Sequence, residues 1–177
     1  MNWTERSIGG LVVRQIFQRK VLAVPNCNWT GHECDLLVVE PRLRLIDVEI
    51  KISRSDLLAD PGKDKWWQHY GWAHGLADPP SSIRRDWPPR IWKHYYCLPA
   101  TVWRDDMLDA VSPRSGVLLI HERRDGQPYL KVLRRCRANP DAKPIDAHQA
   151  IAIARLAGLR MWDAMRELDS ATARRAA

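Results

Sequence analysis

No uninterrupted apolar run in this 177-residue chain is long enough to cross a bilayer as a helix, which needs about 18 residues or more. The opening residues, MNWTERSIGG, lack the basic start, apolar middle and small-residue cleavage site of a secretory leader. The expectation is a soluble, cytoplasmic protein of a bacterial or phage-infected cell, without membrane contact. Cysteine is sparse as well. Cys27, Cys34, Cys97 and Cys136 form no C-x-x-C pair, which argues against a disulfide framework or a four-ligand zinc site and for reduced, structural thiols. Cys27, His32 and Cys34 lie close enough to share a zinc ion with a ligand from elsewhere, but their spacing matches no common zinc pattern. G-x-S-x-G, Walker A and G-x-G-x-x-G motifs are all missing, which removes the usual esterase, nucleotide hydrolase and dinucleotide-binding readings. His69, His74, His94, His121 and His148 form no H-x-x-x-H or nucleophile pair and are taken as core or surface residues.

What is present is enough apolar residue, 45%, for one sizeable core and one domain. The formal charge of +7 favours a polyanionic partner, nucleic acid first, because each Lys or Arg that neutralises a phosphate releases a condensed counterion.

Hydrophobic periodicity organises the chain. Ile8, Leu11, Val12 and Ile16 predict an amphipathic helix over about residues 4–19. VLAVP (21–25), CDLLVV (34–39) and LRLIDVEIK (43–51) read as strands, the last two joined by EPR. Ser53 is placed to cap a following helix, with Asp56 three residues on. A helical piece around Lys65 to Trp72 then gives way to a Pro-rich loop. KHYYCLPATV is a further strand, RDDMLDAV a short helix, and GVLLIHE and PYLKVLRR a hairpin turning at Asp125-Gly126. A final helix over 144–168 is expected to bury Ile151, Ile153, Leu156, Leu159 and Trp162, leaving 169–177 as a frayed tail. The organisation expected is a core over 1–143, with an inserted loop at about 71–91, and the final helix packed on it.

The strand at 43–51 carries the chemistry. Side chains alternate between strand faces, so Asp47, Glu49 and Lys51 share one face while Ile46, Val48, Ile50 and Ile52 occupy the other, suited to packing on a helix. Asp35 falls on the neighbouring strand near the partner position of Glu49. Two facing carboxylates repel unless a cation lies between them, and hard divalent ions such as magnesium take oxygen ligands of this kind. Lys51, two residues beyond Glu49, can offset charge building on a phosphorus centre, so these parts suit metal-assisted phosphodiester hydrolysis. The plainer alternative is an exposed Glu–Lys pair, worth at most about 1 kcal/mol.

Asp35, thirteen intervening residues and then Glu49-Ile50-Lys51, between one helix bearing Glu5 and another following, resemble the PD-(D/E)XK nuclease superfamily. VEIKISRSDLLAD, then KDKWWQHY, a YYCLP strand and a GVLLI strand are similar to the MmcB-like DNA repair proteins within it, over residues 4 to about 135. The resemblance implies an α/β fold: a central mixed β-sheet flanked by helices, a restriction-endonuclease-like core with an inserted loop and a C-terminal helix. It implies a Mg2+- or Mn2+-dependent DNA endonuclease of repair, recombination or mobile-element DNA processing. Asp35 and Glu49 would be metal ligands, Ile50 would add its backbone carbonyl, Lys51 would be the catalytic lysine and Glu5 an auxiliary acid. Cys34 stands where the name-giving proline would be, a change that spares the ligands. A non-catalytic DNA-binding protein on the same scaffold, or a protein-interaction factor using the Trp-rich loop, remains the alternative, and monomer and homodimer are both open.

Around this core, Glu33 reads as a solvated strand end, and Asp47 as a structural ion-pair partner rather than a ligand. Lys63, Lys65 and Gln68 are candidates for DNA contact, Lys65 and Gln68 on one helical face. Trp66, Trp67, Trp72, Trp87 and Trp92 interleave with basic residues. Packing is expected of Trp66 or Trp67, and base stacking of the Pro-flanked loop, with Arg84, Arg85 and Arg90 as phosphate contacts. Arg134 and Arg135 extend the DNA-contact set onto the last hairpin, whose charges on both faces point to a sheet edge.

Overall fold

The structure is a computed structural model that describes residues 3–70 and 81–176. Helix α1 (Glu5–Gln15) starts at Thr4, whose side chain accepts from the Ser7 amide while the Ser7 hydroxyl accepts from that of Thr4. It ends short of the expected boundary, at Gln15. Strands β1 (Leu22–Cys27), β2 (Cys34–Val39) and β3 (Leu45–Ile50) follow as an antiparallel meander. β6 (Lys93–Pro99) runs parallel to β3, β7 (Gly116–Glu122) runs parallel to β6, and β8 (Pro128–Arg134) closes a hairpin with β7. The result is an α/β fold with a mixed six-stranded sheet in the order β1-β2-β3-β6-β7-β8. Gly126, with φ 79°, makes the final hairpin turn that Asp125-Gly126 predicts. β8 lies on the sheet edge, and Gln15 of α1 caps it by exchanging hydrogen bonds with the Pro128 carbonyl and Leu130 amide.

The two sheet faces differ. On one, Ile8, Leu11 and Val12 of α1 pack on Leu36, Val38, Ile46, Val48, Ile50, Cys97, Leu118 and Ile120. This is the aliphatic face expected for β3, except that Ile52 lies past the strand end and is exposed. The opposite face carries two separate apolar clusters. One joins Val24, Leu37, Val39 and Leu45 to Ile153 of α3 (Ala147–Ala176). The other gathers Tyr96, Leu98, Val117 and Leu119 under Leu57 of α2 (Arg54–Ala59) and Trp66. Asp47, Glu49 and His94 sit on this face between the two clusters, fully buried.

Three expectations are corrected. The helix anticipated from Lys65 is a 3₁₀ turn, Asp64–Trp66, running into β4 (Trp67–Tyr70), which pairs with β5 (Ser81–Arg84) in a separate two-stranded ribbon. Aromatic WWQHY favours a pleated strand, and a partner strand supplies its hydrogen bonds. Trp72 and residues 71–80 of the anticipated insertion lie outside the described residues. Asp146 and Gln149 exchange side-chain to backbone hydrogen bonds at the start of α3, yet only Ile153 of the expected core set is fully buried. Leu156 is half-buried, while Ile151, Leu159 and Trp162 are exposed, because the helix meets the sheet only along its first turns. The tail does not fray: α3 runs on to Ala176, since its Ala- and Arg-rich end holds no Gly or Pro to stop it.

Candidate functional site

Strand pairing sets the site. The β2–β3 register matches Leu36 to Val48 and Leu37 to Asp47, so one step further places Asp35 beside Glu49. The ladder stops there, and the Asp35 carboxylate takes over as acceptor: its Oδ2 receives the Ile50 amide at 2.7 Å. Burial, then the negative charge of Glu49, pushes the Asp35 carboxyl up to about 6. Glu49 itself is enclosed by cations. Lys51 Nζ donates to its Oε2 at 2.9 Å, Lys63 Nζ approaches the same oxygen at 3.4 Å, and Lys65 Nζ lies 2.6 Å from Oε1.

These cations share a further acid that sequence reasoning missed. Asp60, at the end of α2, is fully buried and lies 3.1 Å from Lys51, 3.4 Å from Lys63 and 3.8 Å from Lys65. Trp66 Nε1 and the Tyr96 hydroxyl donate to its Oδ2. Burial works against the charge, but the Lys65 and Lys51 ammoniums together with those two donors hold its carboxyl well below the ordinary carboxylate range. In the sequence Asp60 precedes Pro61-Gly62 and looks like a turn residue; no local signal marks it for burial. Lys51 is held well above the ordinary lysine range: burial opposes it, and the charges of Glu49 and Asp60 prevail. It therefore acts as a fixed cation, not as a proton acceptor.

Asp47 faces a second set of partners. Its Oδ2 lies 3.5 Å from His32 Nε2, 3.7 Å from His94 Nε2 and 4.0 Å from Lys65 Nζ. The expectation that Asp47 is an ion-pair residue thus finds its cation in Lys65, not in Lys51. His94 Nδ1 is hydrogen-bonded to Ser115 Oγ at 2.8 Å, its ring is edge-on to Trp66 and Tyr96, and burial pushes its pKa down to about 4, so it is neutral.

Asp35 opens to solvent on the other side. It lines a cavity of about 880 Å³ walled by α1, β1 and the outer half of α3, together with Glu5, Arg14, Lys20 and Arg160. Glu49 and Lys51, each with a side chain 1% exposed, do not line it. Glu5 and Asp35 are therefore brought to one cleft.

The anticipated DNA contacts are scattered by comparison. Lys65 is buried in the ionic cluster, where it cannot reach DNA, because three carboxylates draw it inward. Gln68 is exposed on β4, so the two residues share no helical face. Lys63 is half-exposed at the cluster rim. Arg84 is exposed and Arg85 half-buried next to β4, and Arg90 stacks over Trp29. Arg134 is half-buried and donates to the carbonyls of Ser115 and Ser112, whereas Arg135 is exposed. Trp66 is buried, as expected of one of the pair. None of Arg84, Arg85, Arg90, Arg134 and Arg135 lines the Asp35 cleft. Arg14, Lys20 and Arg160 do, and their place there depends on how α1 and α3 flank β1.

Fold and site together define a mixed-sheet α/β domain with a charged cluster on one face of its central strands. Neither the family models nor the curated proteins compared with the chain give a match. Among solved structures it is similar to a protein of unknown function from Silicibacter pomeroyi, with a TM-score of 0.55 and 16% identity over 96% of each chain. The likeness is one of fold. Among the described residues, no helix is long and apolar enough to cross a membrane.

Proposed function

We propose that this chain is a magnesium- or manganese-dependent DNA endonuclease built on a restriction-endonuclease-like core. The observation that carries the reading is Asp35 beside Glu49 across β2 and β3, with the Ile50 amide on the Asp35 carboxylate and Lys51 on that of Glu49. The donor set fits a hard dication: it offers only oxygens, and an aspartate pushed up to about 6 by burial and by its neighbour's charge is short of positive charge. Asp35, Glu49 and the Ile50 carbonyl would hold the ion, which supplies Lewis acidity and a water of lowered pKa. The chain's own contributions are positional. The Ile50 amide orients Asp35, Lys51 holds the Glu49 carboxylate in place, and Arg14, Lys20 and Arg160 give the cleft the cations that a phosphodiester backbone needs. Glu5, in the same cleft, is the auxiliary acid.

A second reading, a DNA-binding protein that keeps the scaffold without cleavage, is favoured by one observation: the three ammonium groups around Glu49 occupy both of its oxygens. A panel of supercoiled, nicked, branched and single-stranded DNA with Mg2+ or Mn2+ separates the two. The endonuclease reading expects new DNA ends from the native chain and a loss of about 10²-fold or more in Asp35→Asn, with its melting temperature preserved. Altered DNA mobility without new ends on any substrate overturns cleavage in favour of binding.

A further inference from the structure

Asp47 is out of place as a mere ion-pair residue. It is fully buried, and neither carboxylate oxygen has a hydrogen-bond partner among the described residues. Buried carboxylates are ordinarily hydrogen-bonded, because desolvation without compensation is costly. Lys65 lies on one side of it at 4.0 Å, too far for a hydrogen bond. On the other side are a histidine and a cysteine.

We infer that His32 Nε2, Cys34 Sγ and Asp47 Oδ2 form a binding site for a borderline transition metal, zinc by chemistry. Cys34 Sγ lies 3.5 Å from His32 Nε2, which lies 3.5 Å from Asp47 Oδ2, and the three ligand atoms are all within 4.8 Å of one another. Zinc bonds of about 2.0–2.3 Å at tetrahedral angles separate neighbouring ligand atoms by about 3.3–3.6 Å. Both edges fall in that range, although 3.5 Å also lets Cys34 Sγ and His32 Nε2 share a sulfur hydrogen bond when the site is empty.

Nitrogen, sulfur and oxygen donors of this kind select zinc over magnesium, which would avoid thiolate and imidazole. The charge also balances locally: a dication with one thiolate and one carboxylate is a neutral unit suited to a buried place. The ligands are mounted on different pieces of backbone. Cys34 opens β2, Asp47 sits in β3, and His32 hangs from the β1–β2 loop, where Gly31 takes φ 94° and Thr30 Oγ1 donates to the His32 carbonyl. The metal would tie this loop to the sheet. His94 is the positioning residue: it faces the same Asp47 oxygen at 3.7 Å from β6, with its own orientation set by Ser115. Three protein ligands leave the fourth position to water. This site shares no ligand with the Asp35–Glu49 pair, although Lys65 lies against both Asp47 and Glu49.

The test is cobalt titration of the full-length protein after chelation and dialysis, without DNA or activity in the readout. One equivalent of Co2+ is expected to give thiolate-to-cobalt charge-transfer absorption and the intense visible bands of a tetrahedral centre, both lost on adding Zn2+. Cys34→Ser should abolish the charge-transfer absorption, and His32→Gln should weaken binding by about tenfold or more. Cys27→Ser should leave the charge-transfer absorption and its titration unchanged, and Asp35→Asn, which removes only an oxygen ligand of the other proposed site, should leave the charge-transfer absorption unchanged, so failure of the nuclease reading would not register here. Absence of the charge-transfer absorption in the native chain, or its persistence in Cys34→Ser, overturns the site. Should Cys34→Ser not fold, His32→Gln decides, because that side chain is on a loop; unchanged cobalt affinity there is equally fatal.

Discussion

Lys65 Nζ and Glu49 Oε1 lie 2.6 Å apart, and both side chains are almost wholly withdrawn from water. A lysine in a 3₁₀ turn after a short helix has thus become a buried cation, within 4.0 Å of Asp47 and 3.8 Å of Asp60 as well. Removing it leaves buried carboxylates with Lys51 as their chief counterion. Lys65→Met is expected to cost about 3–5 kcal/mol in urea denaturation, because the penalty is that of stranded charge. Lys63→Met, at the half-exposed rim, should cost no more than about 1 kcal/mol. Equal effects in the two variants would show that the cluster is not closed to water.

Asp60 governs the acid limb of stability. Its folded carboxyl titrates well below the ordinary 3.8, so between those two values the unfolded chain binds more protons than the folded one. The stabilisation it provides is complete above about pH 3.8 and is lost as the pH falls through the range below. Asp60→Asn should lower the melting temperature at neutral pH and flatten its decline below that point. A variant with the native acid slope would remove Asp60 as the source.

Gly116 opens β7 against a wall. A Cβ there would overlap the Tyr95 ring and lie 3.0 Å from the Cys136 backbone nitrogen. Gly116→Ala is expected to destabilise by about 1–3 kcal/mol through overpacking, measured by chemical denaturation. Gly62→Ala, with open space around it, serves as the control and should lose little.

The two halves of α3 differ in what they contribute. Ile153 is completely buried against β1 and β2 residues, whereas Trp162 is 64% exposed. Ile153→Ala should cost about 2–5 kcal/mol. Trp162→Ala should change stability by no more than about 0.5 kcal/mol. A large loss on truncating Trp162 would mean that the outer half of the helix is covered in solution.

Much of the local architecture was legible because its causes are local. The alternation of Ile46, Val48 and Ile50 with Asp47 and Glu49 follows from the two-residue period of a strand. EPR between two apolar runs implies a hairpin, and the hairpin brings Asp35 to Glu49. Thr4 and Ser53 are caps by their own side-chain chemistry. The strand from Trp67 carries no local signal of its pairing, because its hydrogen-bond partner, β5, comes from eleven or more residues further on, beyond any local period.

Burial of charge was not legible at all. Whether Lys65 reaches outward to a phosphate or inward to Glu49 depends on Asp47, Glu49 and Asp60 arriving together from β3 and from the end of α2. His32, Cys34 and Asp47 meet only because a loop folds back over the strand pair. By itself the sequence determined the periods, the caps, the turns and the pairing of adjacent strands, all set by sterics and hydrogen bonds within a few residues. The tertiary structure alone decided which charges are dry and which ligand atoms converge, because an ion leaves water only when partners from distant segments already stand ready to replace it.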